Sequence, residues 1–327
     1  MCKFMGKAST IAIYKFHNSL NWIKNYYFIL IGSCLFLLSI YDTFCPSIVH
    51  GQTIHMFILG LICFSAYSDI RRDINKIPFL ILCTLFFIFI FYINKNGYNF
   101  WGKMLKWQIS RTIVVNLNPI FAHIPFNNGS FTRIYKSETL TWFFRIVYNN
   151  GFVLPVLLAL YRSAIIMDLK KMIRYVLSAH ILQVFLITPF YLTFHLQEVW
   201  YVLKHPDGLA RHLSANAAAG VTLNCFPSMH TSISFAMFLL ALREENKLFK
   251  FLFGFFCLSI IYSTLYLEIH WVLDVIAGMA LGYIAVKLTD FILYKIKILL
   301  KKPLDVFYYK NKDSIYIDSI YVSNIKD

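Results

Sequence analysis

Eight long apolar runs, separated by short segments rich in lysine and arginine, constrain this chain more than any other feature. Inside hydrocarbon no water serves the backbone, so each run must satisfy its own N–H and C=O groups as a helix. The runs fall at roughly 26–42, 49–67, 77–93, 152–167, 172–194, 228–242, 248–269 and 271–294. The run from Phe152 to Met167 is short. It must borrow residues such as Ile146 to Tyr148, or else dip into the bilayer without crossing. Hydrophobic residues make up 58% and charged residues 14% of the sequence, far from the mix of a soluble domain. The expected fold class is an all-α polytopic integral membrane protein.

Basic residues orient such a bundle. Lys3, Lys7, Lys15 and Lys24 precede the first run; Arg71, Arg72 and Lys76 follow the second; Lys170 and Lys171 follow the fourth. Arg243 and Lys247 follow the sixth, and Lys295, Lys297, Lys301 and Lys302 end the eighth. With eight spans all of these lie on one side, whereas the short loops near 43–48 and 269–271 hold no lysine or arginine. Both termini are therefore expected in the cytoplasm of a plasma-membrane protein, with the loops at 195–227 and 270 outside. The net charge of +15 is explained by this placement, and no nucleic-acid partner is expected. The segment 94–150 is long, so its basic residues weigh little in the orientation. Within it, Trp101 to Val115 reads either as an amphipathic helix in the interface or as a solvated loop with some apolar packing. The seven cysteines show no CxxC spacing and four sit in apolar runs, so neither a disulfide framework nor a metal site is expected. Asn128-Gly129-Ser130 is a glycosylation sequon on the expected outer side, meaningful only in a eukaryotic source.

Ionisable groups are expensive inside a bilayer, which makes His230, His270 and Asp274 informative. His270 and Asp274 are four apart and share one face of a helix. The carboxylate can hold the proton of one imidazole nitrogen and leave the other nitrogen free to attack. In Pro227-Ser228-Met229-His230, proline suits the first helical position and the following N–H groups form a seat for phosphate. Ser228 adds a hydroxyl, and His230 can protonate a leaving oxygen. Upstream, Lys204 and Arg211 are spaced to clamp phosphate oxygens. Isolated histidines such as His55 and His180 read as packed residues. A metal reading of the His/His/Asp set lacks further ligands, because Glu268 is expected on a different helix side from His270.

These three pieces resemble the signature of the type-2 phosphatidic acid phosphatase superfamily. Lys204 and Arg211 have its first spacing, and Pro227-Ser228-Met229-His230 matches its second motif at all but one position. Ser263, His270 and Asp274 match the spacing of its third. The resemblance covers about residues 150–290 and implies a six-helix core preceded by about two extra transmembrane helices. It also implies a metal-independent, cofactor-free reaction: His270 attacks phosphorus, Asp274 orients it, and His230 protonates the departing alkoxide. Lys204, Arg211, Ser228, Ser263 and the backbone at Met229 would hold the phosphate. Met229 replaces a glycine, Thr264 an arginine and His212 a proline of the superfamily pattern. Cys225-Phe226-Pro227-Ser228-Met229-His230 and His270-Trp271 are similar to the inositol phosphorylceramide synthase branch, a group of inositolphosphotransferases. The expected activity is therefore a lipid phosphotransferase working on a membrane lipid phosphate and an alcohol acceptor on the extracytoplasmic face. The alternatives are a lipid phosphate or polyprenyl pyrophosphate phosphatase, with water as acceptor, and a non-catalytic lipid transporter or binding protein. The expected organisation is a first part at 1–94, an extracytoplasmic loop at 95–150, a catalytic core at 151–294 and a polar cytoplasmic tail at 295–327.

Overall fold

The computed structural model describes residues 22–23, 26–44, 53–70, 74–109, 115–151 and 153–299. The basic N-terminal segment, Arg71, Arg72, Cys45, Arg111 and the tail beyond 299 lie outside the described residues. Helix occupies most of the described part of every expected apolar run. The first is α1 (Tyr26–Phe44), followed by α2 (Thr53–Ser65) and α3 (Lys76–Ile109). Next come the short α4 (Asn118–His123), then α5 (Glu138–Asn150) and α6 (Leu154–Ile165). The stretch Leu169–Thr193 is α7 (Leu169–Val176), a π-helical turn at Leu177–Ile181, and α8 (Leu182–Thr193). Short α9 (Val199–Val202) and α10 (Ala215–Val221) lead to α11 (Met229–Ala241), α12 (Lys247–Tyr266) and α13 (Val272–Leu299).

Among the described residues, five helices are long and apolar enough to cross a membrane, and six if α5 and α6 count as one span broken by a 62° bend. α2 and α11 are apolar but shorter. The outer faces of α3 and α12 suit lipid: Ile77 is 72% exposed, Phe91 71% and Phe251 69%. The protein is an integral membrane protein. α3 is the longest helix, 34 residues or about 51 Å at 1.5 Å per residue. Residues 101–109, expected to lie in a separate interfacial helix or loop, simply continue it.

The core forms around α11. Ile233, Met237 and Leu240 of α11 pack with Leu158 of α6, Phe253 and Cys257 of α12 and Val286 of α13. A polar seam threads the same core. Ser232 Oγ donates to Gln183 Oε1 (2.5 Å), Gln183 Nε2 donates to Ser178 O (2.9 Å), and Ser178 Oγ donates to Thr289 Oγ1 (3.0 Å). Such interhelical bonds fix register where lipid gives apolar faces no reason to choose partners. Gly278 and Gly282, four apart on α13, set how closely it meets α11. A Cβ at Gly278 would lie 2.6 Å from Ser228 O, and one at Gly282 would lie 2.5 Å from Ser232 O. Any larger residue would push the two helices apart.

At one end of the bundle the segment 115–151 folds over the helix ends. Strand β1 (Val115–Asn116) pairs in parallel with β2 (Phe194–His195). Phe121 packs edge-on against Trp271, with ring centres 6.1 Å apart. At the opposite end Arg162, 1% exposed, bonds Glu244 Oε2 (3.0 Å) and pairs with Asp69. Lys171 Nζ (2.7 Å) and Tyr175 OH (2.6 Å) donate to the same Glu244 carboxylate.

Candidate active site

The chain reaches the site end through Cys225-Phe226-Pro227 and turns into α11 at Ser228. The Ser228 hydroxyl oxygen accepts from Thr231 N (3.2 Å), and its carbonyl accepts from Ser232 N (2.9 Å). Ser228 is thus the N-cap, worth about 1 kcal/mol to the helix. The helix starts at Met229, so Pro227 lies ahead of the first turn rather than in the helical position expected for it. Tyr191 OH donates to Pro227 O (3.2 Å), and its oxygen takes the Met229 N–H.

The second half of the site is the turn between α12 and α13. Ile269 N and His270 N both donate to Thr264 O, at 3.0 and 3.1 Å. α13 begins at Val272, so His270 and Glu268 sit on the turn and not on the helix that the four-residue spacing suggested. Asn127 caps that helix from outside: its carbonyl accepts from Val272 N (2.7 Å) and its Oδ1 from Leu273 N (3.0 Å). Asn127 is itself 2% exposed. The contact that the spacing was meant to deliver is nevertheless made, with His270 Nδ1 lying 2.6 Å from Asp274 Oδ2. His270 is 4% exposed and Asp274 fully buried. A carboxylate there requires the proton on Nδ1, which leaves the lone pair on Nε2. Asp274 Oδ1 is buried with no hydrogen-bond partner among the described residues.

The close α11–α13 approach brings the two halves together. Ser228 N donates to Asp274 O (3.3 Å), and the His230 and His270 rings stand 6.1 Å apart. Tyr148 of α5 lies against His230, ring centres 4.4 Å apart and planes 24° from parallel, with its hydroxyl 3.5 Å from His230 Nδ1. His230, His270 and Asp274 therefore converge, as expected from the sequence. Tyr148 and Asn127 were not anticipated. Nothing in their local sequence marks them, because each acts through contacts with distant helices. The Gly278-to-Gly282 spacing was a readable sign of close packing.

The expected phosphate-holding residues are placed less directly. Ser228 is buried and its oxygen serves as the cap, although its O–H remains able to donate. The Met229 N–H faces Tyr191. Ser263 Oγ donates to Ile260 O (2.6 Å), and Thr264 Oγ1 donates to Ile261 O (2.7 Å). Lys204 is exposed, in a left-handed turn with φ of 59°. Arg211 forms ion pairs with Glu198 and with Asp207, the latter through Nε–Oδ2 at 2.8 Å, and its guanidinium lies 5.6 Å above the Trp200 ring. Burial works against the Asp207 charge. The hydrogen bonds from Arg211 and from the N–H groups of Leu209 and Arg211 outweigh it and hold the carboxyl below its ordinary range. Arg133 is a second cation of this end that sequence reading did not single out. It donates to Leu265 O (2.9 Å) and pairs with Glu268 (3.1 Å), which also meets His205 Nδ1 (2.8 Å).

Two acids thus hold Arg211 beside the site, and what it would do for an anionic substrate depends on exchanging them. The dyad itself can act as a nucleophile, and the second histidine as an acid and base. No curated protein matches the chain. A solved structure described as the crystal structure of Aquifex aeolicus LpxE is similar at 19% identity, covering 52% of this chain and 97% of that one, with a TM-score of 0.41. The family model described as the PAP2 superfamily matches residues 152–296, the stretch that contains α11, α12 and most of α13 with both histidines and Asp274.

Proposed function

We propose that this protein is a membrane lipid phosphotransferase that moves a phosphate-linked head group through a phosphohistidine at His270. PAP2 superfamily members are phosphatases and phosphotransferases, and the chain is an enzyme of that broad class, acting on lipid phosphate. The observation that carries the reading is the buried His270–Asp274 pair facing His230 across 6.1 Å. In the first step His270 Nε2 attacks phosphorus, and the bond to the lipid oxygen breaks with its electron pair going to that oxygen. His230 gives the oxygen its proton. Asp274 stabilises the imidazolium that forms. In the second step the acceptor hydroxyl loses its proton to His230, attacks the phosphohistidine and regenerates His270. No cofactor is needed.

Transfer is favoured over hydrolysis by enclosure. His270 and Asp274 are both buried, and Tyr148, Asn127 and Trp271 close the site from the side of 115–151 and the α12–α13 turn. Excluding water favours a bound alcohol as acceptor. Thr264 in place of an arginine, with its hydroxyl turned to Ile261 O, also fits a reaction other than simple phosphatase turnover. Lys171 and Arg243, expected in the cytoplasm, lie at the opposite end from His270, which supports an extracytoplasmic site. The test is to incubate purified protein with labelled lipid phosphate, with and without inositol or diacylglycerol. The expected result is labelled head-group transfer that disappears in His270→Ala. Free phosphate as sole product would establish the phosphatase alternative, and normal turnover in His270→Ala would refute both readings.

A further inference from the structure

Cys225 enters the site from the loop before α11, yet the proposed reaction has no use for it. It is 3% exposed, and its Sγ lies 3.4 Å from Thr222 O and 3.8 Å from Ile269 O, the carbonyl just before His270. Ligand atoms of Cys225, His270 and Asp274 all lie within 4.8 Å of one another. Neither the cysteine spacing nor Glu268 marked a metal site in the sequence, and Glu268 is occupied by Arg133 and His205. The third donor instead comes from 45 residues upstream, across the α11–α13 contact.

We propose that Cys225, His270 and Asp274 bind a thiophilic divalent cation of the zinc type, and that the bound cation switches the enzyme off. Sulfur, imidazole and carboxylate donors together suit zinc or cobalt and do not suit magnesium or calcium, which take oxygen. Charge supports the same choice: a thiolate and a carboxylate neutralise a divalent ion in a site that is almost wholly out of water. The carboxylate also keeps one oxygen for a ligand: Oδ2 meets His270 Nδ1, while the fully buried Oδ1 makes no well-formed hydrogen bond among the described residues, with only the Trp271 and Ser228 N–H groups approaching the carboxylate. Zinc bonds of about 2.0–2.3 Å place neighbouring ligands about 3.5 Å apart, so side-chain rotation of about 1 Å closes the site.

Binding balances simply. The Cys225 thiol releases its proton to water, its sulfur donates a pair to the cation, and Asp274 and a His270 ring nitrogen do the same. Coordination through Nε2 removes the lone pair that would attack phosphorus. Coordination through Nδ1 displaces the proton that Asp274 holds. Either way His270 stops being a nucleophile. Only this inhibitory consequence rests on the phosphohistidine reading; the binding itself does not.

The experiment uses the full chain in lipid nanodiscs, titrated with cobalt and then zinc. Wild type should develop the near-ultraviolet thiolate-to-cobalt absorption, and zinc should bleach it. Cys225→Ala, whose methyl keeps the apolar packing of Leu196, Val199 and Trp271, should lack the band and bind zinc at least about tenfold more weakly. Helical circular dichroism and thermal melting identify whether the variant folds, and Cys225→Ser supplies the same comparison if alanine does not. Absence of the band in folded wild type, or an equal band in a folded Cys225 variant, would overturn the site. With a turnover assay running, zinc should inhibit wild type reversibly by chelator and leave Cys225→Ala active. Zinc that binds through Cys225 without inhibiting would overturn the switch. A total lack of turnover in every protein would count against the proposed function, with the cobalt band still deciding the site.

Discussion

The two ends of the helical bundle treat buried charge in opposite ways. At the end away from the histidines, Arg162 and Lys171 face Asp69 and Glu244, and Tyr175 takes the second Glu244 oxygen. Among the described residues, no buried side-chain atom of these five lacks a partner, and the buried Arg174 Nε beside them, which makes no hydrogen bond, is still matched by the Asp290 carboxylate at 3.4 Å. At the histidine end, Asp274 Oδ1, Thr231 Oγ1 and Asn224 Oδ1 are all buried without one. The compensated end holds helices together, because each charge inside a membrane protein must find its opposite. The other end retains unspent hydrogen-bonding capacity where a reaction needs it. Stability and chemistry are separable here, and substitutions should separate them.

The largest effect should come from Asp274→Asn. The change keeps size but removes the charge that fixes the His270 proton and stabilises its cation. Turnover should drop roughly 1,000-fold, on the order of general acid–base contributions. Thermal stability should change little or rise, since a buried carboxylate with an unpaired oxygen is lost. A turnover loss under about tenfold would mean that Asp274 does not orient His270.

Arg162→Met should give the reverse pattern. Removing one partner from a buried ion network leaves Glu244 and Asp69 undercompensated, a loss of about 3–5 kcal/mol. The guanidinium also lies 4.3 Å above the Phe249 ring, a contact that methionine replaces only in part. A melt in lipid nanodiscs checks the stability, and turnover per folded molecule should stay within about twofold of wild type. Equal damage to both quantities would erase the distinction between the ends.

The helices were legible in the sequence because apolar length is a local property, and His230, His270 and Asp274 stood out there because charge inside a membrane is rare. Their surroundings were not legible there. Asn127 caps α13 and Tyr148 backs His230 from a segment whose sequence looks like an ordinary loop and helix. Arg211 had the right spacing for a phosphate clamp, but spacing does not reveal that Glu198 and Asp207 also fold onto it. The break between α12 and α13 was hidden as well. The spacing of His270 and Asp274 satisfies a helix, although the chain makes the contact across the helix start.

Gly278 links the two ends, since it lies on the α11–α13 contact one turn inside Asp274. Gly278→Ala would place a methyl 2.6 Å from Ser228 O and 3.0 Å from Thr231 Cβ. Overpacking of this kind destabilises by about 1–3 kcal/mol. It also moves Ser228 and His230 away from Asp274 and His270, so turnover should fall more than the melt predicts. Gly282→Ala, a turn further from the site, strikes Ser232 O at 2.5 Å and should lower stability comparably with a smaller loss of turnover. Identical activity losses in the two variants would show that alignment at the site tolerates the shift.

Tyr148 should give the smallest effect and the finest test. It stacks on His230 with ring centres 4.4 Å apart, and its hydroxyl stands 3.5 Å from Nδ1, at the limit of a hydrogen bond. Stacking of this type contributes about 0.5–1.5 kcal/mol beyond buried area. Tyr148→Leu removes the stack, so kcat should fall up to about tenfold with KM nearly unchanged, because the residue positions the proton donor rather than the substrate. Tyr148→Phe keeps the stack and should stay within about threefold of wild type. If phenylalanine is as damaging as leucine, the hydroxyl is what holds His230. In that case the histidine end is less open than its unpartnered atoms suggest, and the contrast with the Arg162 network narrows.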